Sequence, residues 1–318
     1  MPEFGYHLSA EEHAPLDLVR NAKRAEEEGF GYALVSDHFH PWLDAQGHSA
    51  FVWSVIGGIA VTTERLELGT GVTCPLIRTH PAIIAHAAAT AATMMPDRFF
   101  LGVGTGENLN EHVLGDRWPA PDERLDMLEE AIELMRTLWE GGYHTFRGDF
   151  YVVEQAKIYD LPEDPMRVMV AASKPNAAEL AGREGDGLIT TAPDEEVASS
   201  YREAGGSGPV YGKVTLCWAP TEDEAQETAY KWFANTGAPG ELNTELALPR
   251  HYEQVAELLE PSDMAELLAC GPDPEKVIEQ IRQYEQAGLD HLYLHQVGPD
   301  QEGFFRFWRD ELAPRLRQ

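Results

Sequence analysis

The chain has 318 residues, of which 54 are Asp or Glu and 24 are Lys or Arg, for a formal net charge of −30. That balance repels nucleic acid and anionic membrane surfaces, and no apolar run approaches the roughly 18 residues a spanning helix needs. Three cysteines, Cys74, Cys217 and Cys270, are too scattered for a disulfide framework or a CxxC metal site.

Residues 1–9, MPEFGYHLS, have neither a basic nor an apolar leader segment, which predicts a cytoplasmic protein. Only six of the basic residues are lysines, and the acids are spread along the chain rather than gathered in a tail. Self-repulsion at this charge is screened in molar salt, where the Debye length falls to about 3 Å. The composition therefore predicts a surface adapted to a salty, halophilic cytoplasm.

In chain order, β-branched apolar runs bounded by turn residues occur at 3–8, 32–36, 66–73, 99–104, 167–172, 187–191, 210–218 and 291–296. Amphipathic helical patterns lie between them. Leu125, Leu128, Ile132, Met135 and Trp139 keep one face apolar at three- and four-residue spacing, with Asp122 as the expected cap. Asp273, Pro274 and Gly288 bracket a second such helix. Eight strands alternating with helices predict parallel pairing and a single (β/α)8 TIM barrel domain over 1–318, an α/β fold, with an open doubly wound sheet as the alternative.

Two stretches break the repeat: 143–162, read as a hairpin insertion after the fourth strand, and 237–272, read as a longer excursion after the seventh. The segment HPAIIAHAAATAATMM at 80–95 is apolar on nearly every face, which predicts burial in a homodimer interface.

In a parallel barrel the reactive groups sit just after the strands, at their carboxyl ends. The second strand is followed by Ser36-Asp37-His38-Phe39-His40-Pro41-Trp42, and the fourth runs into Gly102-Val103-Gly104-Thr105-Gly106-Glu107-Asn108-Leu109-Asn110-Glu111. His38 and His40 lack the third and fourth ligands of a zinc site, so no metal is expected. The glycines let the backbone approach a flat ligand closely.

These stretches resemble the luciferase-like superfamily, in its branch using coenzyme F420, typified by the F420-dependent glucose-6-phosphate dehydrogenases. SDHFHPW at 36–42, LGTGV at 68–72, FLGVGTGENLNE at 100–111, VMVAAS at 168–173 and AGREGDGLITT at 181–191 carry the likeness. The resemblance implies a deazaflavin-dependent oxidoreductase acting on a small-molecule CH–OH substrate. Asp37, Gly71, Val72, Cys74, Thr105, Gly106, Asn110, Ser173, Lys174, Asn176 and Ala177 would contact the coenzyme, with a cis peptide at Gly71-Val72. Cys74 stands where the family usually has threonine. Lys174 suits an anionic coenzyme tail.

By the same resemblance, His38 would take the alcohol proton as the hydride leaves, a role suited to its titration range. Glu107 would serve the pyrimidine end as an acid if burial raises its pKa. Trp42 would wall the pocket, and Thr191 would contact substrate. Sugar-phosphate members carry a lysine where this chain has Asp194, and 237–272 contains no lysine, only Arg250 and His251. The substrate is therefore expected to be a secondary alcohol, an unphosphorylated sugar or a sugar phosphate. An FMN-dependent monooxygenase, a methylene-tetrahydropterin reductase-like enzyme and a flavin-binding protein without turnover stand as alternatives.

Overall fold

The structure, a computed structural model, describes residues 2–317. Its strands are β1 (Glu3–Leu8), β2 (Tyr32–Val35), β3 (Glu67–Thr70), β4 (Phe99–Val103), β5 (His144–Arg147), β6 (Val152–Ala156), β7 (Val168–Ala171), β8 (Gly187–Thr190), β9 (Val210–Cys217), β10 (Ala269–Cys270) and β11 (His291–Gln296). β1, β2, β3, β4, β7, β8, β9 and β11 pair in parallel around a ring, which β8 and β9 close through Leu188–Val210 and Ile189–Tyr211. Helices lie between successive strands. The barrel is thus closed, and the open-sheet alternative is excluded.

Alternate strand residues face the bore, as the two-residue strand period demands. Tyr32, Leu34, Phe100, Met169, Ile189, Tyr211 and Tyr293 fill it as one cluster. Two glycines make room for the largest rings: a Cβ on Gly5 would fall 2.2 Å from the Tyr32 ring, and one on Gly69 would fall 2.1 Å from that of Phe100. A second apolar layer, between strands and helices, is built by residues such as Leu8, Leu68, Leu101 and Val170 with helical partners Leu18, Ile84 and Leu128.

The stretch around 143–162 contains the antiparallel hairpin β5–β6, and 237–272 contains short helices at Leu242–Glu245, Pro249–Ala256 and Met264–Leu267. Asp273 caps its helix by accepting the Glu275 N–H at 3.0 Å. Asp122 does not cap: the helix begins earlier, at Pro121, whose ring pre-sets the first-turn φ, and leaves Asp122 in the first turn. Helix Pro81–Met94 is largely covered by its own chain, with the Trp139 indole donating to the Ala85 carbonyl at 2.9 Å. Ile83, His86, Thr90 and Met94 are left as an exposed stripe on it.

Candidate active site

Three loops meet at the carboxyl end of the barrel. The β2 loop presents His38, whose Nε2 lies 3.9 Å from Glu107 Oε2 of the β4 loop. Its Nδ1 lies 3.1 Å from Glu11 Oε1 of the β1 loop, an ion-pair separation whose angle falls short of a hydrogen bond. The imidazole is therefore held between two carboxylates. The Trp42 ring stands 5.1 Å from it, tilted by 59°. Trp42 in turn meets Tyr252 edge-on at 5.1 Å, so the 237–272 excursion supplies one wall of the mouth. Leu43, Leu109, Leu246 and Val255 complete that wall, which is apolar.

Asn110 joins the two principal loops. Its Oδ1 accepts the Phe39 and His40 N–H groups at 2.9 and 3.1 Å, and its Nδ2 donates to Glu107 Oε2 at 3.4 Å. It sits in the short helix Asn108–Glu111, for which Glu107 is the N-cap residue. Glu107 keeps 30% of its side chain exposed, so the burial expected of it is not there. The short loop holds it at the rim.

Below the mouth, Asp37 accepts from the Thr73 hydroxyl at 2.9 Å and pairs with Arg78 Nη2 at 3.0 Å. Arg78 also reaches Glu111, through Nε at 3.3 Å and through its backbone N–H at 2.8 Å. Burial pushes the Glu111 carboxyl above its usual range, with Arg78 opposing. The Gly71–Val72 peptide is cis. Val72 borders the bore cluster, and a Cβ on Gly104 would lie 2.9 Å from its Cγ2. Gly106 has φ +71°, a left-handed conformation that favours glycine, and its α-carbon faces Cys74. The Cys74 thiol is buried, which raises its pKa well above the ordinary value.

Other sequence-predicted residues lie further out. Ser173, Lys174 and Asn176 are exposed at the end of β7, where helix Pro175–Glu184 begins, and Ala177 is half-buried within its first turn. Lys174 pairs there with Glu241 at 3.3 Å. Thr191 is exposed after β8. Asp194 caps the next helix, accepting the Glu196 and Val197 N–H groups at 2.9 and 3.2 Å. His40 is engaged apart from His38, with its Nδ1 2.9 Å from the Leu109 carbonyl.

Sequence reasoning missed Ser9, Glu11, Glu12, Arg78 and Lys213. The first three follow a strand directly, the same signal that singled out 36–42. Lys213 lies two residues after Tyr211 on β9 and so shares its inward face, and burial lowers its pKa against the pull of Glu11, Glu107 and Glu12. Arg78 had no local signal, because its partners come from two other loops.

Comparison with known proteins places this arrangement. The profile of the luciferase-like monooxygenase family matches residues 1–291. The F420-dependent glucose-6-phosphate dehydrogenase of Mycobacterium tuberculosis is 37% identical over 332 residues, covering 99% of this chain and 98% of its own. The enzyme of the same name from Nocardia farcinica is 38% identical over 330 residues with the same coverage. Among solved structures, an F420-dependent secondary alcohol dehydrogenase in complex with an F420-acetone adduct superposes at a TM-score of 0.91, with 31% identity over 100% of this chain and 99% of that one. The coenzyme F420-dependent tetrahydromethanopterin reductase of Methanopyrus kandleri shares the fold, at a TM-score of 0.78 and 22% identity over 99% of each chain. The chain therefore belongs to the luciferase-like monooxygenase family, in the branch that holds these dehydrogenases.

Proposed function

We propose that this chain is an F420-dependent oxidoreductase that moves a hydride between a CH–OH carbon and the deazaflavin, with a neutral secondary alcohol as the favoured substrate. The observation that carries the reading is His38 held between Glu11 and Glu107 beside Trp42. A base, an acid and an aromatic wall at one barrel mouth are what alcohol oxidation requires.

The residues present fit the coenzyme. At the glycine-rich end of β4 Gly104 packs against Val72 where a Cβ would not fit, and the exposed amino end of helix Pro175–Glu184, beside Lys174, suits an anionic tail. Asp37, Gly71, Val72, Thr105, Gly106 and Asn110 would hold the ring system, and Ser173, Lys174, Asn176 and Ala177 the tail. Buried beneath Gly106, Cys74 supports the floor rather than offering its thiol. The deazaflavin supplies a carbon that accepts the hydride. With the coenzyme bound, His38 Nε2 would take the alcohol proton, Glu107 Oε2 would serve as proton donor or acceptor at the rim, and Trp42 with Tyr252 would exclude water from the reacting carbon.

The substrate preference rests on the wall and on charge. The wall beside the reactive imidazole is apolar and its two carboxylate neighbours are acidic, with the buried Lys213 ammonium drawn to those same acids. Asp194, where the sugar-phosphate members carry lysine, is committed to capping a helix, and Arg250 is exposed. The buried cations near the mouth, Lys213 and Arg78, already face carboxylates, so a phosphate dianion would have to compete with those acids for them. Thr191 remains available as a hydroxyl contact. The test is bleaching of F420 absorbance by 2-propanol against glucose 6-phosphate in molar salt. His38→Ala and Glu107→Gln should each slow it by a factor of about 10² or more; unchanged rates in both would refute these roles. Tight FMN binding with oxygen uptake would favour a monooxygenase instead.

The chain is further proposed to act as a cytoplasmic homodimer in a salt-rich cell. Ile83, Met94, Phe51 and Val61 are exposed apolar residues on the neighbouring helices Pro81–Met94 and Val52–Ala60 and at their ends, and the acid excess covers the whole sequence.

A further inference from the structure

If His38 takes a proton at every turnover, that proton has to leave. Only 10% of its side chain is exposed, and substrate and coenzyme would cover that opening. Glu107 is 3.9 Å away, beyond hydrogen-bonding range, and being 30% exposed it exchanges its own proton with solvent at the rim. The path behind His38 is different. Glu11 stands 3.1 Å from Nδ1. The Ser9 hydroxyl lies 2.9 Å from Glu11 Oε2 and 3.2 Å from Glu12 Oε1, so a single O–H spans both carboxylates. Glu12 and its neighbour His13 then line a groove of 730 Å³ on the flank of the barrel, together with His48, Asp17, Arg20 and Trp232.

We propose that Glu11, Ser9 and Glu12 form a proton relay that discharges His38 through the back of the active site into the flanking groove. The proposal rests on His38 being the base. As the alcohol O–H bond breaks, its proton bonds to His38 Nε2 while the C–H electron pair leaves as hydride for the coenzyme. After a small rotation of the ring, the Nδ1 proton passes to Glu11 Oε1. The Glu11 carboxyl then turns about its Cγ–Cδ bond, which carries its O–H from the His38 side to the Ser9 side, and the proton passes to the Ser9 oxygen as the Ser9 proton moves to Glu12 Oε1. The Glu12 side chain is itself fully covered, so it hands the proton to the neighbouring His13 imidazole, which gives it to water in the groove. A half-turn of the neutral imidazole returns its free nitrogen to the substrate side, and with one proton entering at Glu107 and one leaving by way of Glu12, charge balances over the cycle.

The two carboxylates differ as a relay needs. Burial would raise Glu11, but His38 and the Ser36 hydroxyl, which donates at 2.7 Å, outweigh it and hold the group at about 2. It carries a proton only in passing. Glu12 is pushed up to about 7 by burial, with His13 and the Gly298 N–H pulling the other way, so it holds and releases a proton near neutrality. The groups facing it are Ser9, Glu11 and His13 from its own segment, His295 at 2.9 Å from β11, the Gly298 N–H at 2.6 Å and Lys213 from β9. Tyr6 and Cys217 also feel its charge.

The variants are Glu12→Gln, which keeps the shape and one acceptor oxygen but has no titratable proton, and Ser9→Ala, which removes only the bridging hydroxyl. With 2-propanol and F420, both should lower kcat about tenfold or more at unchanged KM and raise the solvent deuterium isotope effect, and added imidazole should restore part of the rate to Glu12→Gln. Infrared titration of the coenzyme-free protein should show a carboxyl band ionising near pH 7 that Glu12→Gln lacks. Wild-type rates and isotope effects in both variants, or persistence of the band in Glu12→Gln, would overturn the relay. Wild-type protein that shows the titration but reduces no coenzyme with any alcohol would count against the proposed function and leave the protonatable end of the relay standing.

Discussion

Replacing Arg78 by methionine tests what holds the floor of the site. Arg78 is the cation between two carboxylates, Asp37 and Glu111, whose side chains are 5% and 0% exposed, and its own is 10% exposed. Methionine fills much of the volume but strands both acids. Removing one partner of a buried pair costs about 3–5 kcal/mol, because the charge left behind is desolvated and uncompensated. At about 2 °C per kcal/mol for a chain of this size, the melting temperature should fall by about 6–10 °C. The loss should depend on pH. Burial already holds the Glu111 carboxyl above its unfolded value of 4.5. The folded state therefore binds its proton longer, and stability falls as pH rises through the window above 4.5. Without Arg78 that pKa climbs further, so the deficit should be small near pH 4.5 and grow toward neutrality. Circular-dichroism melts of both proteins at several pH values in molar salt read this directly. A pH-independent difference, or a drop under about 2 °C, would refute the account.

Four more outcomes follow. Glu26 accepts the backbone N–H groups of Glu64, Arg65 and Leu66 and the Lys23 ammonium. Burial alone would raise its carboxyl, but these donors hold it at about 2, a depression worth about 3 kcal/mol. The stability gap between wild type and Glu26→Gln should be full above pH 4.5 and vanish as pH falls toward 2, and a gap that persists in acid would contradict it. Gly106→Ala forces a side chain into a left-handed conformation and to within 2.6 Å of Cys74 Sγ, costing about 1–2 kcal/mol before any rearrangement. It should also weaken F420 binding in a fluorescence titration, and wild-type affinity would argue that the β4 turn does not touch the ring. The net charge of −30 predicts a melting temperature that rises steeply from low to molar salt. Sedimentation should give a dimer that Ile83→Glu dissociates, and a salt-insensitive monomer would remove both proposals.

The barrel itself was legible in the chain because its eight strands are short apolar runs separated by helices with marked ends. That alternation leaves parallel pairing as the economical solution. His38, Trp42, Asp37 and Glu107 were legible for the related reason that a parallel barrel gathers whatever follows its strands. The exposure of Glu107, by contrast, depends on how a four-residue helix seats it at the rim. Nor does the sequence show that Asn110 ties the β2 and β4 loops together.

What tertiary structure alone decided is which distant groups share a charge. Arg78 reaches two acids at positions 37 and 111, and Glu12 meets His295 across nearly the whole chain. Lys213 comes from a strand whose pattern says only that it alternates. Ring closure brings the first strand against the last and so sets β1 carboxylates beside β11 and β9 side chains. Local propensity reports helix and strand, whereas the strength of an ion pair depends on through-space distance and burial, which exist only once the ring has closed.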